Sequence, residues 1–260
     1  MASGPELRRY LTKSGSVFTR RGIVMPSREP LVQLRNVSKD YRGLRPLRIE
    51  SLDVHPGQVI ALVGFDQMMA EVLVDLITAA IVPETGDVIV FGQRTREIAD
   101  REAWLSTLDR FGLLTERAVL LDQLTVEQNL ALPFSIALDD LSSEVRERVA
   151  RLASEIGLEP YLTQQAVALS PALRLRVRLG RALAFDPRVL LAEHPNASLT
   201  ESEQTIFAAD LSRIVRARDA ACVVLTADRV FARAATDDVL VLQPATGALK
   251  PSSGWRRWFA

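Results

Sequence analysis

Residues 61–77 read ALVGFDQMMAEVLVDLI, and their apolar positions change rhythm partway. The run from Val59 to Val63 is unbroken, as in a strand buried on both faces. Gly64 ends it. Apolar residues then recur at Val72, Leu73, Leu76, Ile77 and Ala80, which predicts one face of a helix. Upstream, residues 31–35 alternate as a strand and 47–54 form a second strand-like segment, closed by the turn His55-Pro56-Gly57. The turn Pro83-Glu84-Thr85-Gly86 precedes a predicted strand over 87–91. Residues 142–184 follow a helical pattern with breaks at Gly157, Pro160 and Pro171. A short apolar run over 189–192 has the character of a buried strand. A helix over 201–216 and strands over 222–226 and 239–242 complete the pattern. Wholly apolar strands alternating with helices predict an α/β fold with a largely parallel sheet. Three stretches are expected: a basic extension over 1–30, a domain over 31–249 with a helical subdomain inserted at about 118–186, and a tail over 250–260.

Composition narrows the function. The chain has 260 residues, 48% of them apolar and 25% charged, which is ordinary for a globular protein with a large core. Lys+Arg and Asp+Glu are equal at 32 each, which argues against nucleic-acid binding driven by phosphate neutralisation. The single cysteine, Cys222, excludes an intramolecular disulfide and lies in an apolar run as a core residue. With two histidines, no metal-ligand cluster stands out. No stretch approaches the ~18–20 consecutive apolar residues that cross a bilayer, and the N-terminus lacks a continuous apolar signal core. The expectation is a cytoplasmic protein that meets a membrane through a partner.

Three charged or aromatic features carry open alternatives. Arg8, Arg9, Lys13, Arg20, Arg21 and Arg28 face only Glu6 and Glu29, as a solvated arm or a contact for an acidic partner or anionic lipid. Arg174, Arg178 and Arg181 share one helix face, solvated or paired with acids of a neighbouring subunit. The end Trp255-Arg256-Arg257-Trp258-Phe259 reads as a disordered end, a docking peptide or an interfacial anchor.

A strand, a glycine turn and a helix make the frame of a phosphate-binding loop. Around it, several short segments stand in a telling order: LVQLRNVSKDY from Leu31 to Tyr41, PGQVIALVG from Pro56 to Gly64, LTVEQNLALP from Leu124 to Pro133, RALAFDP from Arg181 to Pro187, and the apolar run from Val189 onward. Over roughly residues 31–249 this order resembles the ATP-binding cassette domain of ABC transporters. The resemblance implies a P-loop NTPase-like ABC ATPase fold, with an antiparallel β part near the N-terminus and an inserted helical subdomain. It also implies a membrane permease partner and a dimer with a second copy or another ABC-type ATPase subunit.

Carried over residue by residue, the resemblance places Tyr41 as the aromatic that stacks on adenine and Gly64 as the first glycine of the phosphate loop. The later glycines are replaced by Gln67 and Met69, the lysine by Ala70 and the metal-binding serine by Glu71. Glycines let backbone N–H groups curl around phosphates; Met68 and Met69 put bulk there, and Ala70 carries no charge. Glu71, with Asp66, offers a carboxylate to the helix N-terminus instead. Two unit charges 4 Å apart at an effective dielectric of 20 interact by about 4 kcal/mol, more than a stacked base at ~1–3 kcal/mol. Elsewhere Glu116 stands at the Q-loop glutamine, Glu193 at the Walker B aspartate, His194 at the catalytic glutamate, Thr200 at the D-loop aspartate and Ala227 at the switch histidine. Ser170, Pro171 and Ala172 stand in the signature, with Ser170 as a helix N-cap and Pro171 as the first helical residue. An imidazole such as that of His194 is the side-chain type most often used as a general base, but phosphoryl transfer rests on positioning and charge stabilisation.

The expectation is therefore a subunit-like protein with a degenerate site, needing no cofactor and serving a structural or regulatory role in a transport complex. Its alternatives are a divergent but active ATPase, which binds ATP and Mg²⁺, and a soluble interaction module. Val119, Leu120, Leu121, Leu124 and Phe134 are expected either to receive a permease helix or to pack as plain core.

Overall fold

The computed structural model describes residues 29–252. The basic arm and the aromatic tail therefore lie outside the described residues. In chain order the elements are β1 (Val32–Lys39), β2 (Leu47–Val54), β3 (Val59–Val63), α1 (Gln67–Ile77), β4 (Thr85–Val90), β5 (Gln93–Arg94), α2 (Arg101–Leu108), β6 (Phe111–Leu114), α3 (Val126–Ala131), α4 (Ser143–Ile156), α5 (Pro171–Ala182), β7 (Val189–Glu193), α6 (Glu201–Ala217), β8 (Ala221–Thr226), α7 (Arg229–Ala235), β9 (Val239–Gln243) and β10 (Ala248–Pro251).

Two sheets form. An antiparallel sheet runs β2-β1-β4-β5, and a six-stranded sheet runs β10-β9-β3-β8-β7-β6. The latter is parallel from β9 to β6, with β10 antiparallel at its edge. Its central strands are buried on both faces, which is why VIALV and ACVVLT read as unbroken apolar runs. Alternate residues serve two cores. Val59, Ala61, Val63, Cys222 and Val224 pack with α3 to α7. Ile60, Leu62, Val223 and Leu225 pack with α1 and the antiparallel sheet. This arrangement is the mixed α/β fold with a parallel core that the sequence pattern predicts.

The helical part, α3 to α5, is inserted between β6 and β7. Its helices meet closely at Gly180, where an added Cβ would lie 2.6 Å from both Ile156 Cδ1 and Leu130 Cδ2. Each helix start is well made. Thr125 and Gln128 form a capping box on α3, Ser142 caps α4, and Ser170 caps α5 with Pro171 in the first turn.

Some expectations shift. The buried face of α1 is Ala70, Leu73, Val74, Leu76 and Ile77; Val72 is half-buried, and Ala80 is exposed beyond the helix end. Thr85 and Gly86 belong to β4 rather than to a turn, with Thr85 paired to Ser38. Pairing of β10 with β9 continues to Pro251, past residue 249. The pattern gave no sign of α2, β6, α3, α7 or β10. These are short, four to eight residues each, too few for a helical or alternating period to stand out.

Candidate functional site

The carboxyl ends of β3, β7 and β8 point their loops to one edge of the parallel sheet, where an α/β fold places its ligands. At β3 the chain turns through Gly64, whose φ of +98° suits glycine alone. Asp66 then caps α1: its Oδ1 accepts from Met69 N at 2.8 Å. Ala70 is fully buried in the core and Met69 half-buried, while Gln67 and Met68 are exposed. Glu71 does not sit on the helix N-terminus as expected. It lies one turn further on, where its Oε1 accepts from Gln67 Nε2 at 2.8 Å. Asp66 alone of the two carboxylates meets a first-turn N–H group, that of Met69.

At the end of β7, Glu193 is only 2% exposed. Its Oε1 accepts from Arg117 Nη2 at 2.6 Å, and Arg117 Nη1 lies 3.7 Å from Asp75 Oδ1 on α1. Burial pushes the Glu193 carboxyl above its ordinary value; Arg117 opposes that shift, and the negative charges of Glu71 and Asp75 reinforce it. Burial lowers Arg117, but the charge and hydrogen bond of Glu193, with Asp75 and Glu71, outweigh it and raise Arg117 above its ordinary value. The two shifts differ in what they say of the pair. The buried carboxylate bears the desolvation cost, whereas the half-exposed guanidinium keeps its hydration and gains the attraction.

His194 follows with φ +40°, and its N donates to Leu225 O at 2.8 Å, which fixes its backbone to β8. Two buried polar atoms, Glu193 Oε2 and His194 Nε2, have no hydrogen-bond partner among the described residues. Both residues line a cavity of about 10 Å³ together with Glu116, Arg178 and Ser198, room for a single water-sized group. Glu116 itself is exposed. Ala227 is exposed after β8; beside it Asp228 caps α7, and Asn196 bridges Thr226 and Asp228. Thr200 caps α6 in a capping box with Glu203.

Tyr41 is half-buried against the core of α1 and the antiparallel sheet, and its ring lies over Gly43. Burial first, then the charge of Asp66, raises its phenol above the ordinary value, so Tyr41 stands in the electrostatic field of the loop. Glu193, His194 and Glu116 come together around one small cavity, and Gly64, Asp66 and Tyr41 around one loop. Ser170 and Pro171 are exposed at the start of α5 and Ala172 is half-buried; none of the three bonds to that loop.

Two features escaped the sequence pattern. One is Arg117, 76 positions from its partner. The signal that could have found it is Glu193 itself: a carboxylate ending an apolar buried strand demands a cation. The other is what the arginine face of α5 meets within the chain: all three side chains are half-buried. Arg174 donates to Asp122 Oδ1 and Ala166 O, Arg178 to Ala118 O and Arg181 to Val119 O. Of the expected groove residues, Leu120 is core, Phe134 and Leu124 are half-buried, and Val119 and Leu121 are exposed.

Comparison with known proteins gives the family and the fold. A family model described as ABC transporter matches residues 47–197. The lipoprotein-releasing system ATP-binding protein LolD of Maricaulis maris is 34% identical over 181 residues, covering 69% of this chain and 78% of that protein. The methionine import ATP-binding protein MetN 1 of Pseudomonas savastanoi pv. phaseolicola is 27% identical over 216 residues, or 82% of this chain. The chain spans only 64% of the length of that relative. Among solved structures, cbiO1 from Clostridium perfringens, part of the ABC transporter complex cbiONQ, superposes with a TM-score of 0.74 at 18% identity, covering 85% of this chain and 87% of the other. At that identity the likeness is one of fold.

Proposed function

This chain belongs to the ABC transporter family, and from that premise we propose that it serves a membrane transport complex as an ATP-binding-subunit-like component that does not hydrolyse ATP at its own site. The observation that carries the reading is the start of α1. Asp66 takes one of the N-terminal donors, Met69 N, where a phosphate would bind, the neighbouring Ala70 is a buried methyl group, and no lysine or arginine lies between Gly64 and Asp75. A helix N-terminus attracts anions because its N–H groups and dipole are free; here a carboxylate of the chain takes that place. Met68 and Met69 stand where a close-fitting loop needs bare backbone.

The fit to a metal-bound triphosphate is poor on the other side as well. Glu193, at the Walker B aspartate position, is held by Arg117. His194 is anchored through its backbone, and a base there would act without the charge stabilisation that phosphoryl transfer requires. Gly64, Gln67, Met69, Ala70 and Glu71, with Tyr41 and the signature positions Ser170, Pro171 and Ala172, are in this reading vestigial. Glu116, Glu193, His194 and Ala227 carry no catalysis.

The partners proposed are a membrane permease subunit and either a second copy of this chain or another ABC-type subunit. Among the described residues no helix is long and apolar enough to cross a membrane; the proposed place is the inner face of the membrane, reached through the permease. The unit that docks is the domain over 31–249. Isothermal titration of the full chain with ATP and Mg²⁺ into the millimolar range tests the reading. No saturable heat is expected. Binding in the micromolar range, accompanied by phosphate release, would establish the alternative, an active ATPase subunit with a divergent loop.

A further inference from the structure

We propose that Arg117 is the resident counter-ion of this site and that, together with the arginine face of α5, it rivets residues 115–122 in place. The first of the two connections between the parallel sheet and the helical part, that from β6 to α3, is then a fixed strut. The inference deepens the non-hydrolysing reading and rests on it for its meaning: a site that does not turn over has no use for a moving joint here.

The segment leaves the sheet after β6 and enters the helical part before α3, and nearly every residue along it is held from a different side. Arg117 N donates to Thr115 Oγ1 at 2.9 Å, and its side chain reaches Glu193 on β7 and Asp75 on α1. Arg178 Nε donates to Ala118 O at 3.3 Å, and Arg181 Nη1 to Val119 O at 2.7 Å. Leu120 is inserted in the core. The Asn129 side chain on α3 closes a pair with the backbone of Leu121, accepting from its N and donating to its O, both at 3.0 Å. Arg174 Nη2 donates to Asp122 Oδ1 at 2.6 Å while its Nη1 holds Ala166 O at 2.6 Å. Anchors thus come from β7, α1, α3 and α5.

Arg117 is the anchor on the sheet side. Releasing it would strand Glu193, a carboxylate 2% exposed whose second oxygen has no partner among the described residues. An unpaired buried charge is strongly disfavoured, so the carboxylate itself holds the arginine in. With the strut fixed, Val119 and Leu121 stay turned outward at 67% and 47% exposure, an apolar pair presented whatever the state of the site.

Amide hydrogen exchange on the full chain tests this, comparing the natural protein with R117Q and R117K. Protection at residues 117–121 is expected in the natural protein without nucleotide, and R117Q should speed exchange there at least tenfold while β3 and β8 keep theirs. Exchange at 117–121 already as fast in the natural protein as in R117Q overturns the proposal. Should R117Q lose protection in β3 and β8 too, R117K decides. It keeps the charge but not the planar fork: a threefold or greater rise confined to 117–121 supports the strut, and no change overturns it. Adding ATP and Mg²⁺ separates the two ideas. New protection at 64–71 counts against the non-hydrolysing reading and leaves the strut standing if 117–121 were protected beforehand.

Discussion

Glu193 closes an otherwise apolar strand, and its environment dictates how the protein should respond to pH. Its carboxyl is raised above the ordinary 4.5 by burial, against the pull of Arg117 and with the push of Glu71 and Asp75. A carboxyl raised in the folded state holds its proton more tightly there than in the unfolded chain. The stability it contributes is fully present below the ordinary value and is lost as pH rises through the folded value. Replacing it with glutamine keeps an acceptor for Arg117 and removes the titration. Denaturant unfolding of the natural protein and E193Q from acid to neutrality should therefore show E193Q gaining relative stability as pH rises; a constant or shrinking difference would contradict the burial argument. Cys222 illustrates the same force without a partner: full burial pushes its thiol to about 12, so it stays protonated and acts as a core side chain, as the apolar run around it implied.

At the scale of elements, the long ones were legible and the contacts between them were not. The strands over 47–54 and 59–63 and the helix over 201–216 announce themselves because both faces or one full stripe are apolar. The spacing of Arg174, Arg178 and Arg181 gave their shared face correctly, but spacing cannot say what a face meets. Their acceptors are backbone carbonyls and Asp122, 52 to 62 positions away for the contacts that matter. Gly180 is a similar case: within a helical pattern it reads as a weak spot, whereas the fold uses it as the point where α3, α4 and α5 converge. An added methyl would lie 2.6 Å from Ile156 Cδ1 and Leu130 Cδ2, so the gain in helix propensity is outweighed by overpacking. G180A should lose roughly 1–3 kcal/mol in denaturant unfolding, with exchange protection falling first in α3 to α5. A stabilised variant would mean that the two side chains yield without strain.

For the whole molecule, the order of segments was the most legible feature, because a parallel sheet with a helical insertion constrains every strand and turn at once. The least legible was the counter-ion of the site, since Arg117 sits in a connection with no period of its own and meets Glu193 only through the fold. That asymmetry has a measurable consequence in how the entire chain unfolds. A ligand that binds only the folded state stabilises it by RT ln(1 + [L]/Kd), about 2.7 kcal/mol at a hundredfold excess over Kd. For a domain of this size each kcal/mol moves the thermal midpoint by roughly 2–4 °C, so a competent nucleotide site would raise it by about 5–11 °C under those conditions. With Asp66 on the helix N-terminus and Arg117 on Glu193, millimolar ATP and Mg²⁺ should move the midpoint by less than about 1 °C, since folded and unfolded chains then bind nucleotide equally poorly. A clear, saturable rise with nucleotide concentration would return the site to the ATP-binding members of its family, whatever its loop lacks.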